Sequence, residues 1–132
     1  MSALPEFERV FNRLKVILQK HAADFTVRPN SESSYGLQGK PGPATLKVWG
    51  GKLKKPVMPV AWIEMGKAYV SFHIMGLYTN TALQNSMSKE LKARMQGKTC
   101  FNFKTINEIL FEELEQLTAK AIGDFKKFGY VV

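Results

Sequence analysis

Cysteine and histidine are scarce in this chain: one Cys, at position 100, and two His, at 21 and 73, among 132 residues. A single thiol excludes an internal disulfide and fits a reducing compartment. One Cys and two His also cannot close a four-ligand structural zinc site. Long apolar runs are missing as well, and none approaches the length that spans a bilayer. The opening string MSALPEFERV turns polar and periodic at once, so no secretory leader is expected. These absences point to one cytoplasmic domain over residues 1–132, with no membrane partner. That length buries a core without covalent staples.

Acid is absent from a long stretch. Between Glu32 and Glu64 there is none, yet Lys40, Lys47, Lys52, Lys54 and Lys55 fall there. A second basic group, Lys89, Lys92, Arg94, Lys98 and Lys104, is opposed only by Glu90. With 19 Lys and Arg against 11 Asp and Glu, the formal net charge is +8. Such an excess favours encounter with nucleic acid, phosphorylated ligands or anionic surfaces. The acids gather instead at Glu108, Glu112, Glu113 and Glu115, where carboxylates at helical spacing are either a solvated face or oxygen ligands for a hard cation.

Periodicity supplies the elements. Residues 5–21 place Phe7, Val10, Phe11, Leu14, Ile17, Leu18 and His21 at helical spacing behind Pro5, a first-turn residue. His21 ends the stripe as a packed or capping residue. The polar, Gly-, Pro- and Ser-rich string over 28–44 reads as a long loop with Tyr35 as its one aromatic. TLKVW (45–49) alternates like a strand closed by Gly50-Gly51. VMPVAWIEM (57–65) and AYVSFHIM (68–75) are joined by Gly66-Lys67, a type II′ hairpin pattern. Residues 81–97 carry Leu83, Met87, Leu91 and Met95 every fourth position before Gly97 and read as one helix. KTCFNFK is a short strand. TINE (105–108) has capping-box form, and Leu110, Leu114, Leu117, Ala121, Phe125 and Phe128 continue a helical stripe through Gly123. The order α-β-β-β-α-β-α, with no internal repeat, predicts an α+β two-layer domain. Its antiparallel sheet has helices on one face and the other face open.

The hairpin fixes a register, in which Met65 faces Ala68, Glu64 faces Tyr69 and Trp62 faces Ser71. One face then holds Ala61, Ile63, Met65, Ala68, Val70, Phe72 and Ile74, a core. The other holds Val60, Trp62, Glu64, Tyr69, Ser71 and His73. With Phe101 and Phe103 in the core, Cys100, Asn102 and Lys104 join that second face. The candidate ligand-binding set is therefore Trp62, Glu64, Tyr69, His73, Lys98, Asn102 and Lys104. Trp62 and Tyr69 would stack, His73 and Asn102 would hydrogen-bond, and Lys98 and Lys104 would supply charge. A Cys100–His73 pair beside Asn102 has the composition of an activated nucleophile. The plainer account makes Cys100 a small strand residue, and no catalytic residue is assigned.

GKT at 97–99 is not a phosphate loop: position 92, where that motif needs glycine, is Lys92, and a strand follows rather than a helix. KAYVSF and GKTCFNF match the RNA-recognition consensus loosely, and the element order differs from that module. The strings GKAYVSFHIMGLY and LKARMQGKTCFNFK together resemble the YdhG-like family, a bacterial domain of unknown function, over about half the chain. The resemblance implies an α+β fold of the secretion-chaperone-like type, without an assigned activity. One branch is described as a frataxin-like iron chaperone, which implies iron bound through acidic residues, here Glu108, Glu112, Glu113 and Glu115. The expectation is a non-enzymatic binding domain, monomeric or homodimeric, without a cofactor. Its open sheet face would take a small or extended anionic ligand or a protein partner. Iron binding is the alternative, and nucleic acid is a further partner class.

Overall fold

Alternating apolar residues over 61–74 and helical stripes on both sides of them produce two layers. The computed structural model, which describes residues 4–28, 33–78, 80–97 and 99–132, is α+β: a six-stranded antiparallel open sheet with five α-helices. In chain order these are α1 (Leu4–Gln19), β1 (Thr26–Val27), β2 (Ser34–Gly39), α2 (Pro43–Val48), β3 (Met58–Met65) and β4 (Val70–Ile74). There follow α3 (Thr81–Ser86), α4 (Lys89–Lys92), β5 (Met95–Gln96), β6 (Cys100–Phe103) and α5 (Glu108–Lys127). The sheet order is β1-β2-β3-β4-β6-β5.

The core forms where the expected stripes meet. Phe7, Val10, Phe11, Leu14, Ile17 and Leu18 of α1 are buried with Ala61, Ile63, Val70, Phe72, Ile74, Phe101 and Phe103 of the sheet. Leu110, Leu114, Leu117, Ala121 and Phe125 of α5 complete it. Phe128, at the end of that stripe, is the helix C-cap and is half exposed. Arg13 pairs with Glu108 at 2.8 Å and Lys20 with Glu115 at 2.9 Å. Partners advance together along both helices, so α1 and α5 run parallel.

Several local expectations are corrected. The 28–44 string is not a continuous loop: it contains β2, whose Tyr35 and Leu37 alternate into the core opposite Ile63 and Ala61. Two core-facing side chains are too short a pattern to outweigh the glycines around them, and pairing on both sides supplies what propensity lacks. TLKVW is helical, not a strand. Pro43 occupies the first turn of α2, and Thr45 Oγ1 donates to the Tyr130 carbonyl at 2.6 Å. Gly50 and Gly51, both at positive φ, end the helix. The 81–97 segment breaks at Met87, and Ser88 starts α4 as an N-cap, its hydroxyl accepting from the Leu91 N–H. The carboxylate of Glu113 accepts from both the Ser88 N–H and its hydroxyl. Met95 and Gln96 then form β5 rather than a last helical turn.

The β3–β4 hairpin is also shifted. Gly66 lacks the positive φ that a II′ turn needs; the connection runs over 66–69, and the Gly66 N–H donates to the Tyr69 carbonyl at 2.9 Å. Met65 therefore pairs with Val70, Glu64 with Ser71 and Trp62 with His73. The displacement is two residues, an even number, so the strand residues keep their expected faces, but Ala68, expected in the core, falls in the connection and is exposed at the cleft. Val60 is the exception within the strands. The β2–β3 register slips by one beside it, leaving Val60 unmatched, and it is buried with Ala61 instead of joining the open face.

The cap of α5 is Asn107, not Thr105: Asn107 Oδ1 accepts from the Leu110 N–H at 3.1 Å. Asn107→Ala is expected to lower stability by about 1 kcal/mol in urea unfolding, while Thr105→Ala stays within about 0.5 kcal/mol. Equal losses would restore the capping box.

Candidate functional site

With one face of the sheet committed to the core, the alternate residues of five strands stand on the other. Across the strands, register places Gly36, Trp62, His73, Cys100 and Gln96 in one row, and Ser34, Glu64, Ser71 and Asn102 in the next.

The first row is a stack. The Trp62 and His73 rings lie 4.6 Å apart and 7° from parallel, a contact worth about 0.5–1.5 kcal/mol beyond burial. On the β2 side of the indole, the Arg28 guanidinium lies 5.9 Å from the ring centroid. Arg28 reaches that position by crossing β2 at Gly36, where an added Cβ would come within 2.6 Å of Arg28 Nε and 2.9 Å of Trp62 Cβ. Only glycine leaves that gap open. Arg28 also donates to Ser34 Oγ at 2.8 Å and stands 3.8 Å from Glu64.

Polar side chains around His73 form a consistent chain of donors. The Ser71 hydroxyl donates to the Glu64 carbonyl at 3.4 Å, which leaves its oxygen to accept from His73 Nε2 at 3.1 Å. The Cys100 thiol donates to Asn102 Oδ1 at 3.5 Å, and Asn102 Nδ2 donates to Gln96 Oε1 at 2.8 Å. With its proton on Nε2, His73 keeps Nδ1 as an acceptor. Among the described residues no buried side-chain N or O atom lacks a partner, so Nδ1 is reachable by solvent or ligand. Burial, the largest cause, holds the His73 pKa below its ordinary value; Glu64 opposes this and Arg28 adds to it. Burial and the Glu64 charge push the Cys100 thiol up. Cys100 Sγ lies 3.8 Å from His73 Nε2, so the expected pair is in contact. The shift runs opposite to the one that activates a thiol.

These residues line a cleft of about 540 Å³, walled by the 66–69 connection and bounded by Glu64, Lys67, Tyr69, Ser71, His73, Gln96 and Cys100. Of the expected site residues, Glu64, Tyr69 and His73 line it. Tyr69 does so from the connection, not from a strand. Trp62 is not in the lining; His73 stacks on its indole and the Arg28 guanidinium stands 5.9 Å from the ring centroid. Asn102 is on the same sheet face but bonds to Gln96. Lys104 is exposed beyond the end of β6, and Lys98 lies outside the described residues. Four contributors were not expected. Ser71 stands on the expected face and adds a hydroxyl, Gln96 belongs to β5 rather than to a helix, Lys67 lines the cleft from the 66–69 connection, and Arg28 directly follows β1. A glycine at the outward position of SYGLQ is the sequence signal for a side chain crossing there.

The acidic set of α5 is dispersed. Glu108 is held by Arg13, Glu115 by Lys20 and Glu113 by Ser88, and Glu112 is exposed. Among the described residues no three His, Cys, Asp or Glu side chains gather closely enough to hold a metal ion. No helix among them is long and apolar enough to cross a membrane. No protein-family model, curated protein or solved structure matches the chain.

Because the fold favours the neutral ring, the unfolded chain binds more protons below pH of about 6.5. His73 thus leaves stability intact above that value, and stability falls as pH drops through the folded pKa. A proton NMR titration is expected to place the His73 midpoint below 6.5, and acid-induced loss of stability should shrink in His73→Gln. Arg28→Ala and Gly36→Ala should both raise the midpoint by removing the guanidinium from the row. An unchanged midpoint in Arg28→Ala would place that charge elsewhere. For Cys100, the iodoacetamide rate against pH should show a midpoint above the ordinary thiol value of about 8.5.

Proposed function

We propose that the chain is a binding domain that holds a small polar ligand on its open sheet face, in the cleft under the 66–69 connection. The observation that carries this is the convergence of hydrogen-bonding groups from three strands and one connection on a single cleft: Ser71, His73, Gln96, Glu64 and Tyr69. Its volume is in the range of small-molecule sites. Lys67 supplies a cation and Glu64 an acid to the lining, so the complementary ligand is a compact anion or zwitterion rather than a polyanion. His73 Nδ1 accepts from the ligand, the Gln96 amide hydrogen-bonds it, and Tyr69 offers ring surface. The protonated thiol of Cys100 favours binding over nucleophilic catalysis. The YdhG-like resemblance of the strings GKAYVSFHIMGLY and LKARMQGKTCFNFK implies no assigned activity apart from the iron-chaperone branch. Iron handling has no observation in its favour, because three of the four glutamates are engaged within the fold.

An amide-shift NMR titration with mononucleotides, amino acids and small dicarboxylates tests the proposal. Shifts are expected at Glu64, Lys67, Tyr69, Ser71, His73 and Gln96, and should disappear in His73→Ala. Silence at these residues for all three ligand classes would overturn it. Anaerobic Fe(II) that moved Glu108, Glu112, Glu113 and Glu115 instead would install the iron alternative.

A further inference from the structure

The connection between α2 and β3 is the most exposed segment of the described chain, and the cleft makes no use of it. Every residue from Gly50 to Val57 is exposed, and no backbone hydrogen bond is made by residues 52–56. Val48 is 75% exposed, Leu53 64% and Val57 39%. Lys47, Lys52, Lys54 and Lys55 alternate with them, and none of these four is in an ion pair. The one acid near the base of the segment is Asp24, which shares a hollow with Lys40, Pro56 and Val57.

Single exposed aliphatic residues are ordinary. Three within ten positions, interleaved with four unpaired lysines and no carboxylate, form a different pattern. Aliphatic tips enter the acyl boundary of a bilayer while ammonium groups meet anionic headgroups, and lysine stems are long enough to serve both environments. Nucleic acid fits less well. Residues 47–57 contain no arginine, and their one aromatic, Trp49, is partly buried, whereas single-strand binding relies on stacking rings.

We infer that residues 47–57 dock the domain peripherally on an anionic lipid surface, with Leu53 and Val48 inserted and Lys47, Lys52, Lys54 and Lys55 on the headgroups. This departs from the sequence-level expectation of no membrane partner, which weighed spanning segments only. β3 carries the chain from this segment at Met58 to the cleft at Met65, about 23 Å at ~3.3 Å per residue. Docking therefore leaves the cleft open, and the two sites stand or fall separately.

Vesicle co-sedimentation of the full chain tests the inference, with phosphatidylglycerol mixed into phosphatidylcholine against phosphatidylcholine alone. Binding is expected only to the mixed vesicles and should weaken as salt shortens the screening length. Replacing Lys52, Lys54 and Lys55 by Gln should weaken partitioning roughly 100-fold, about fivefold per charge. Leu53→Asp should weaken it roughly tenfold. The same net-charge change at Lys89, Lys92 and Lys120 should leave binding within about threefold, and so should His73→Ala. Absence of binding to mixed vesicles would overturn the inference, as would equal loss in the two lysine triples. Tighter binding to a single-stranded oligonucleotide, insensitive to Leu53→Asp, would assign the segment to nucleic acid instead.

Discussion

Phe72 sets the geometry of the domain. It is fully buried, opposite Ile63 on one neighbouring strand and Phe101 on the other. Cross-strand apolar contacts of this kind lock three strands in lateral register, and α1 and α5 cover that side. Once Phe72 points inward, His73 must point outward, and with it Trp62 and Cys100 in the same row. The arrangement on the open face is thus a by-product of core packing. Its precision comes from buried phenyl rings rather than from polar contacts among the site residues.

Within that face, burial does a second task, which is to choose a protonation state. Removal from water disfavours imidazolium at His73 and thiolate at Cys100 alike. The result is a nearly neutral patch inside a protein of formal net charge +8. Charge is pushed outward, to Lys67 of the 66–69 connection and to the lysines of the α2–β3 connection. The neutral patch and the charged periphery suit different partners, since a compact ligand is read by directed hydrogen bonds and an extended anionic surface by accumulated charge.

The sequence made the two long helices and the alternation of β3 and β4 legible, because each repeats its period several times and buries large side chains; β6 was legible from its two buried phenylalanines, Phe101 and Phe103, in a stretch free of the glycines that surround β2. β2 and α2 were not legible. Each offers too few turns or alternations for periodicity to separate helix from strand, and both take their shape from contacts remote in sequence, such as Thr45 with Tyr130. The break at Met87 was hidden for a related reason: Leu83, Met87 and Leu91 are all buried as a continuous stripe would require, while the cap that interrupts it depends on Glu113. Face membership survived an incorrect turn because the error was even. Arg28 could not be placed at all, since its position depends on an absent side chain at Gly36.

The parallel pairing of α1 with α5 also bears on how the chain is made. Arg13 and Lys20 meet partners 95 residues further along. Closing so long a span costs entropy before any contact repays it, and topologies rich in such contacts fold slowly. During synthesis the apolar stripe of α1 leaves the ribosome well ahead of the helix that completes its cover. For that interval Phe7, Phe11 and Leu14 lack that cover, the kind of transient apolar exposure that makes folding intermediates prone to association.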